Sequence, residues 1–213
     1  MTSFLRFLFF ALIVRPIVLI VIGLNVRHHP RLPKTGPALI VANHNSHLDT
    51  LVLISLFPLH CLPQIRPLAA ADYFLRNRLL AWFALNLIGI VPLQRELKPS
   101  AGDPLAAASA ALAQGAMLIL FPEGSRGEPE HLSRFKSGVA HLAKRHPEVP
   151  VVPIFLHGLG KSLPKGEAVL VPFFCDVFVG EALHWGGDKQ VWMAKLDDAM
   201  QALAAEGKFA AWE

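Results

Sequence analysis

Short apolar runs of strand length recur along the chain, and segments of helical length separate most of them. The runs predict strands at Ala38–Ala42, Ile88–Leu93, Met117–Phe121, Val151–Leu156 and Cys175–Val179. The intervening segments predict helices at Thr50–Phe57, Asp72–Asn86, Asp103–Gln114, Ser137–Arg145 and Lys189–Ala205. Strands that alternate with helices favour parallel pairing, because the crossover returns the chain in the same direction. We therefore expect a single α/β domain with a largely parallel, mixed sheet flanked by helices.

Local signals place the ends of two of these elements. Asp103 is a typical N-cap, Pro104 suits the first helical position, and Gly115 suits a left-handed residue after the helix. Pro153 lies inside a predicted strand. Because proline donates no backbone hydrogen bond, we expect this strand to lie at an edge of the sheet or the proline at a strand end.

The amino-terminal segment is strongly apolar: 17 of the 22 residues from Ser3 to Leu24 are hydrophobic. That length suffices to cross a hydrocarbon core of about 30 Å. Arg15 would then lie near the bilayer centre at a cost of about 2.5 to 3.5 kcal/mol, and Pro16 favours a kink. We favour a bent segment that dips into one leaflet with Arg15 at the headgroups, over a straight span or a buried core helix.

Basic residues follow the apolar segment more densely than they precede it. Arg27, Arg31 and Lys34 come after it and Arg6 lies before its middle, which favours placing the body of the protein on the cytoplasmic side of the cell membrane. A secretory signal is disfavoured because no small-residue cleavage site follows. We expect a membrane-associated helical anchor over residues 1–29 and one catalytic-sized domain over residues 30–213.

Composition narrows the classes of partner. The chain has 213 residues, 53% of them hydrophobic and 17% charged, with a net charge of +4. It is too apolar for a disordered protein, and its positive charges lack the dense clusters that nucleic-acid binding needs. The modest positive charge is better matched to a partner that is an anionic lipid or a phosphorylated small molecule. Cys61 and Cys175 have no spacing typical of a metal or redox site.

A histidine and an aspartate follow the first predicted strand of the main domain, in Asn43-His44-Asn45-Ser46-His47-Leu48-Asp49. His44 and Asp49 are five positions apart, about 140° around a regular helix, so they meet only if the chain turns before the helix starts. A carboxylate on one imidazole nitrogen would leave the other to take a proton from a hydroxyl. A capped loop with a buried histidine explains the same spacing without chemistry.

Further polar residues follow other predicted strands, and parallel strands bring such positions to one edge of a sheet. Arg95 comes just after Ile88–Leu93, and Pro122-Glu123-Gly124-Ser125-Arg126 follows Met117–Phe121. Arginine suits phosphate oxygens, and glycine lets the backbone approach a ligand. Lys136, ahead of the next helix, is a candidate for additional positive charge.

Besides an enzyme that uses His44 as a base, two other classes of function remain compatible with these residues. His44, His47 and Asp49 have donor types that could hold one metal ion in a hydrolase. A catalytically silent lipid-binding protein would also explain the apolar segment and the basic residues. Loss of activity on chelation would identify the hydrolase, and lipid binding without any turnover would identify the binding protein.

Taken together, the motifs resemble a known family. Asn43-His44-x-Ser46-x-x-Asp49, Gly89 to Arg95, Phe121-Pro122-Glu123-Gly124-Ser125-Arg126 and Val152-Pro153-Ile154 are similar, in this order, to the four motif blocks of the glycerophospholipid acyltransferases of the 1-acylglycerol-3-phosphate acyltransferase type. The resemblance covers roughly residues 36–183. Ser125 stands where threonine is more usual, and the amino-terminal anchor is one interrupted stretch rather than two separate helices.

The resemblance implies an enzyme that moves a fatty acyl group from acyl-CoA or acyl-carrier protein to a lysophospholipid hydroxyl, without a cofactor. By the same resemblance, His44 is the general base and Asp49 orients it. Arg95, Arg126 and Lys136 hold the acceptor phosphate, and Glu123, Gly124 and Ser125 shape the acceptor pocket. Glycerol-3-phosphate, a lyso-ornithine lipid or another lysophospholipid remain alternative acceptors.

Overall fold

A computed structural model of the chain describes residues 2–46, 48–94, 102–125, 132–162 and 174–209. Within these ranges the strands form one sheet with the order β1-β7-β6-β2-β5-β3-β4. The strands are β1 Leu24–Arg27, β2 Ala38–Ala42, β3 Ile65–Ala70, β4 Val91–Leu93, β5 Met117–Leu120, β6 Val151–His157 and β7 Cys175–Val179. All neighbouring pairs are parallel except β6 and β7. The predicted fold class is confirmed.

Helices cover both faces of this sheet. The α-helices are α1 Thr2–Phe9, α2 Asp49–Ser55, α3 Ala71–Phe74, α4 Arg78–Phe83, α5 Ala106–Ala113, α6 Gly138–Arg145, α7 Leu159–Ser162 and α8 Lys189–Glu206. Wider π-helical turns occupy Phe10–Val14, Ile17–Ile22 and Ala84–Ile88, and short 3₁₀ turns occupy His29–Arg31 and Leu59–Cys61.

Strand β2 lies at the centre of two hydrophobic cores, one on each face of the sheet. Ala38, Ile40 and Ala42 contribute to the core beneath the amino-terminal helix and α2. Leu39 and Val41 contribute to the core beneath α5, α6 and α8. A strand that is buried on both faces has a continuous apolar sequence rather than an alternating one. This burial explains why the apolar run Ala38–Ala42 predicts a strand from the sequence alone. It also fixes the start of the loop that carries His44.

Two strands were not predicted. Strand β1 lies within the stretch assigned to the amino-terminal anchor and pairs in parallel with β7. Strand β3 contains Arg66 and Pro67, which interrupt its apolar pattern. The sheet therefore begins at Leu24, before the domain boundary placed after residue 29, and that division of the chain stays a prediction.

The boundaries predicted between residues 72 and 93 are wrong. The expected helix Asp72–Asn86 is divided into α3 and α4, because Asn77 caps α4 by accepting a hydrogen bond from the Leu79 N–H at 2.9 Å. The expected strand Ile88–Leu93 is shortened, because a π-helical turn includes Ile88 and ends at Gly89, whose φ is 77°. Only Val91–Leu93 remain for β4.

The expected position of Pro153 is also wrong, since β6 is an internal strand between β7 and β2. The carbonyl of Pro153 accepts from the Gly180 N–H on the β7 side at 2.8 Å. Its ring nitrogen faces the same side, where the pairing with β7 begins only at Ile154. An internal proline is tolerated here because it lies at the end of the β6 and β7 pairing, where the bond from the Gly180 N–H is kept and only the reciprocal bond is missing.

The amino-terminal segment is one helical run from residue 2 to residue 22, and it includes Arg15 and Pro16. Every fourth residue of the run is buried: Arg6, Phe10, Val14, Val18 and Ile22. In a regular α-helix, such a row would drift by about 40° every four residues. The wider π-helical turns reverse this drift and also accommodate a proline that lacks the N–H. The row therefore stays against the core.

The opposite face of this helix is apolar and exposed. Its exposed large side chains are Phe4, Leu5, Phe7, Leu12, Ile13, Ile17, Leu19 and Ile20. The adjacent α4 and the turn after it expose Leu79, Trp82, Phe83 and Leu85. Within the described part of the chain, residues Thr2–Ile20 form the one helix long and apolar enough to cross a membrane. Arg15 donates to the Phe57 carbonyl at 2.6 Å, and its place at the headgroups stays a prediction.

Candidate active site

The loop after β2 is fixed to the neighbouring strand β6 by one side chain. The Asn43 amide Nδ2 donates to the Leu156 carbonyl at 2.8 Å, and its Oδ1 accepts from the Leu156 N–H at 2.7 Å. Asn43 and Leu156 are both fully buried. These two hydrogen bonds extend the pairing of β2 with β6 by one residue, through a side chain. They fix the backbone at the start of the loop that carries His44.

The chain then turns and brings His44 and Asp49 together. Asp49 begins α2, and its fully buried Oδ2 accepts from His44 Nδ1 at 2.8 Å. The same oxygen accepts from the N–H groups of Asn45 at 2.7 Å and Ser46 at 2.9 Å. Burial raises the pKa of Asp49, and the hydrogen bonds from His44 and the two backbone groups act in the opposite direction. The carboxylate thus holds both the turn and the imidazole.

The remaining imidazole nitrogen of His44 is available for chemistry. Because an ionised carboxylate only accepts hydrogen bonds, the pairing with Asp49 places the proton on Nδ1 and leaves a lone pair on Nε2. In the described ranges no hydrogen bond to Nε2 is present, and the side chain is 21% exposed. Phe121 stacks on the ring with 4.1 Å between centroids. The ring is therefore held by Asp49 on one edge and by Phe121 on one face.

Glu123 follows β5 and lies against the same loop. Its Oε1 accepts from the His44 backbone N–H at 3.4 Å, and the residue is 4% exposed. The pKa of Glu123 is raised to about 7, chiefly by burial and to a smaller extent by the charge of Asp49, while hydrogen bonds from the backbone of His44 and Ser133 act in the opposite direction. Near neutral pH this carboxyl group is therefore partly protonated.

The turn after Glu123 lies beneath a lysine side chain. Gly124 has a φ of 75°, which favours glycine, and a Cβ there would come within 2.5 to 3.0 Å of Lys136 Nζ, Cε and Cδ. The Lys136 backbone N–H donates to the Pro122 carbonyl at 2.8 Å. Ser125 is exposed at the end of the turn. The sequence-predicted residues Glu123, Gly124, Ser125 and Lys136 therefore lie in one region beside His44.

Several buried polar atoms around His44 have no hydrogen-bond partner in the described structure. They are Asp49 Oδ1, Asn45 Oδ1 and Nδ2, and Glu123 Oε2. Buried polar groups are nearly always paired, so a cluster of unpaired ones is typical of a site that contacts water or substrate. Their arrangement around one imidazole supports a polar reaction site rather than a structural histidine.

Three residues named from the sequence lie outside the described ranges: His47, Arg95 and Arg126. Their roles stay predictions. Among the described residues, no group of three His, Cys, Asp or Glu side chains is arranged to hold a metal ion.

Asn43 and Phe121 belong to motif blocks that the sequence revealed, but their roles were not predicted. Asn43 fixes the His44 loop to β6, and Phe121 supports the His44 ring. Their positions at strand ends next to polar motifs were the available signal. The contacts themselves depend on which strands are neighbours, which the sequence pattern did not give.

The chain is similar in sequence to proteins named 1-acyl-sn-glycerol-3-phosphate acyltransferases. A chloroplastic one from Arabidopsis thaliana is 32% identical over 163 residues, covering 76% of this chain and 44% of the relative. The alpha form from Ovis aries is 31% identical over 167 residues, covering 74% of this chain and 53% of the relative. The chain thus spans about half the length of these relatives.

The fold has a counterpart among solved structures. The 1-acyl-sn-glycerophosphate acyltransferase of Thermotoga maritima superposes with a TM-score of 0.77 at 20% identity, covering 99% of this chain and 81% of that chain. The family model described as Acyltransferase matches residues 23–157, a range that begins at the first strand and includes His44, Asp49 and Glu123. This match covers more than half of the sequence, and the chain belongs to the acyltransferase family.

Proposed function

We propose that the protein transfers a fatty acyl group from a thioester donor, acyl-CoA or acyl-carrier protein, to the hydroxyl of a lysophospholipid. The favoured acceptor is 1-acylglycerol-3-phosphate, and the product is then phosphatidic acid. The observation that carries the proposal is the His44 Nδ1 to Asp49 Oδ2 hydrogen bond of 2.8 Å, with Nε2 left for a substrate. The names of the relatives support the same substrate class.

In this mechanism His44 acts as a general base. Nε2 takes the proton of the acceptor hydroxyl while the hydroxyl oxygen attacks the thioester carbonyl. A C–O bond forms and the C–S bond of the donor breaks. The proton then passes from the imidazolium to the departing thiolate. Asp49 stabilises the imidazolium, and no acyl-enzyme is needed. General base catalysis of this kind contributes about 10² to 10⁴ in rate.

We assign the acceptor phosphate to Lys136 and to two arginines of the motif blocks, Arg95 and Arg126. Lys136 is exposed above Gly124 and forms no salt bridge within the described ranges. Arg95 and Arg126 add guanidinium groups suited to phosphate oxygens. Glu123, Gly124 and Ser125 form the wall of the acceptor pocket.

We also propose that the enzyme works at the cytoplasmic face of the cell membrane. An acceptor with one fatty chain is dissolved in the bilayer and must be reached from its surface. The exposed apolar face of residues 2–22, continued by the exposed side chains of α4, offers a surface that can enter one leaflet. In this arrangement residues 1–29 are the anchor and residues 30–213 the acyltransferase domain.

The test is an assay of the purified protein in detergent against a panel of acceptors with both thioester donors. We expect transfer to 1-acylglycerol-3-phosphate, with the donor preference read from the same panel. The matched variant His44→Ala is expected to fold and to lose activity by about 10² to 10⁴.

Three outcomes would each contradict a part of the proposal. An inactive parent protein with every acceptor and donor would refute acyl transfer itself. Transfer to glycerol-3-phosphate or a lyso-ornithine lipid alone would refute the assigned acceptor while keeping the reaction. If His44→Ala retained activity within tenfold of the parent, the general-base role would be wrong.

A further inference from the structure

The segment that begins with α4 exposes an apolar surface outside the amino-terminal helix. Residues Arg78–Ile88 form a short apolar helix, well under the about 20 residues that a membrane span needs. Its inner positions Ala84 and Ile88 are buried in the core that also contains the inner row of the amino-terminal helix. On the other side, Leu79 is 81% exposed and Trp82 is 49% exposed. The short helix can therefore enter a bilayer in the plane of its surface.

Side-chain contacts fix this short helix to the amino-terminal helix. Phe83 packs edge-to-face on Phe9, with 5.6 Å between the ring centroids. The buried guanidinium of Arg6 donates to the Ile88 carbonyl at 2.9 Å. Gly89 follows with a φ of 77°, and a Cβ there would come within 2.7 to 2.9 Å of the Arg6 guanidinium. The two helices cover one core, so their exposed apolar sides belong to the same face of the molecule.

Two arginines accompany the exposed apolar side chains of the short helix. Arg76 precedes α4 and Arg78 is its first residue, and both are exposed. The Arg76 Cζ lies 4.9 Å from the centroid of the Tyr73 ring, which is itself 41% exposed. Within the ranges that the structure describes, neither arginine forms a salt bridge. Arginine beside exposed aromatic and aliphatic side chains is typical of segments that lie between headgroups and acyl chains.

The charges of the chain are divided unevenly. Residues 1–94 contain eight basic residues and two acidic ones, Asp49 and Asp72, whereas residues 95–213 contain twelve basic and fourteen acidic residues. Asp49 is fully buried. The part of the chain with both apolar surfaces is thus net positive, and the remainder is slightly negative. An anionic lipid surface attracts the first part and repels the second.

We propose that residues 71–88, the α3–α4 arm, form an in-plane membrane anchor that is selective for anionic lipid headgroups. Leu79 and Trp82 enter the boundary of the acyl chains, and Arg76 and Arg78 bind headgroup phosphates. The inference rests on the proposed function, in which the enzyme works at a membrane surface, and it adds the class of lipid. A bilayer is favoured over a protein partner because the arm is continuous with a helix long and apolar enough to cross a membrane.

Sedimentation of the full-length protein with vesicles tests the proposal without requiring activity. Vesicles of phosphatidylcholine are compared with vesicles of an equimolar mixture of phosphatidylcholine and phosphatidylglycerol. We expect the parent protein to bind the anionic vesicles about tenfold or more tightly than the neutral ones. The double variant Arg76→Gln and Arg78→Gln is expected to bind the anionic vesicles about tenfold more weakly, and the neutral ones within about threefold of the parent.

The matched control is the double variant Lys189→Gln and Lys195→Gln. It removes the same charge from exposed positions of α8, which covers the other core of the sheet. We expect its binding to both kinds of vesicle to stay within about threefold of the parent. Equal weakening in the two double variants would show that net charge rather than the arm attracts the protein, and would overturn the proposal. Equal binding of the parent to both kinds of vesicle would also overturn it, while the membrane location would stand.

The apolar side of the arm is tested by the double variant Leu79→Ser and Trp82→Ser. We expect it to bind both kinds of vesicle about tenfold or more weakly, because two exposed apolar side chains no longer enter the bilayer. Circular dichroism follows folding. Unchanged binding would overturn the proposal and would leave a protein partner as the occupant of this surface.

Acyl transfer in detergent separates this inference from the proposed function. We expect Arg76→Gln with Arg78→Gln to keep kcat and both KM values within about threefold of the parent, since the lipid surface is absent. A loss of activity in detergent with parent-like binding to anionic vesicles would overturn the headgroup role. An inactive parent that still prefers anionic vesicles would refute acyl transfer alone, and a parent that binds neither kind of vesicle would refute the membrane location together with the arm.

Discussion

At the scale of single residues, the site depends on one carboxylate with three donors. Asp49 Oδ2 accepts from the His44 ring and from two backbone N–H groups, all between 2.7 and 2.9 Å. An amide oxygen in this place could still accept from these donors, but an amide carries no negative charge to stabilise the imidazolium, and its N–H₂ group could donate to the ring and so reverse the tautomer. The position therefore requires a carboxylate rather than a polar group in general.

We predict that Asp49→Asn lowers kcat by about 10² to 10⁴ because the tautomer and the charge are both lost. The acyl transfer assay measures this, with circular dichroism to follow folding. Asp103→Asn is the matched control, since Asp103 pairs with Arg145 at the surface, away from His44. Parent-like activity in Asp49→Asn would contradict the role of the pair.

Glu123 predicts a specific pH dependence of stability. Its pKa is raised from 4.5 to about 7 in the folded protein, so the folded state binds more protons than the unfolded state between these values. The contribution of Glu123 to the free energy of unfolding is most favourable below about pH 4.5. It is lost as the pH rises through 7, which lowers the free energy of unfolding by roughly 3 kcal/mol.

We therefore predict that Glu123→Gln gains stability relative to the parent as the pH rises from about 4.5 to 7. Denaturant unfolding at several pH values measures the difference in unfolding free energy between the two proteins. A difference that stays constant over this range would show that the carboxyl group does not titrate there.

At the scale of elements, the edge of the sheet is held by side chains as well as by ladder hydrogen bonds. Asn43 makes both of its bonds to the backbone of Leu156 at the end of β6. Because β2 and β6 are parallel neighbours, this contact joins the first motif block to the strand that carries the last one.

We predict that Asn43→Ala lowers the unfolding free energy by about 2 to 4 kcal/mol, because a buried N–H and a buried carbonyl lose their partners. Asn25→Ala removes an exposed side-chain bond to Asp176 and is expected to cost less than about 0.5 kcal/mol. Equal unfolding free energies for the two variants would contradict the structural role of Asn43.

At the scale of the whole molecule, the amino-terminal helix has two opposed surfaces. One row of side chains belongs to the core beneath the sheet, and the opposite surface is exposed and apolar. Removing the whole helix would expose the core, so substitutions on the outer face are the appropriate probe of membrane binding.

We predict that the double variant Leu12→Ser and Ile20→Ser binds phospholipid vesicles at least tenfold more weakly, since each buried aliphatic side chain contributes about 1.5 to 3 kcal/mol. These residues are 68% and 81% exposed. Sedimentation with vesicles measures the bound fraction. Val191→Ser, at an exposed position of α8 across the sheet, is the control. Unchanged binding of the double variant would exclude this face as the membrane contact.

The sequence by itself determined the fold class, most helices and strands, and the motif blocks around His44, Asp49 and Glu123. These features depend on local periodicity and on residue types that follow a strand, both of which are properties of short segments. Segments whose apolar pattern is interrupted, such as β3 with Arg66 and Pro67, were missed for the same reason.

Only the tertiary structure decided which of these segments are neighbours and which polar atoms meet. The order of strands placed Asn43 beside Leu156, Phe121 on the His44 ring, and Arg6 over Gly89. It also placed Pro153 in an internal strand and buried one row of side chains of the amino-terminal helix against the core. Such contacts join residues that are distant along the chain, and they form because buried polar groups and apolar faces must be satisfied together.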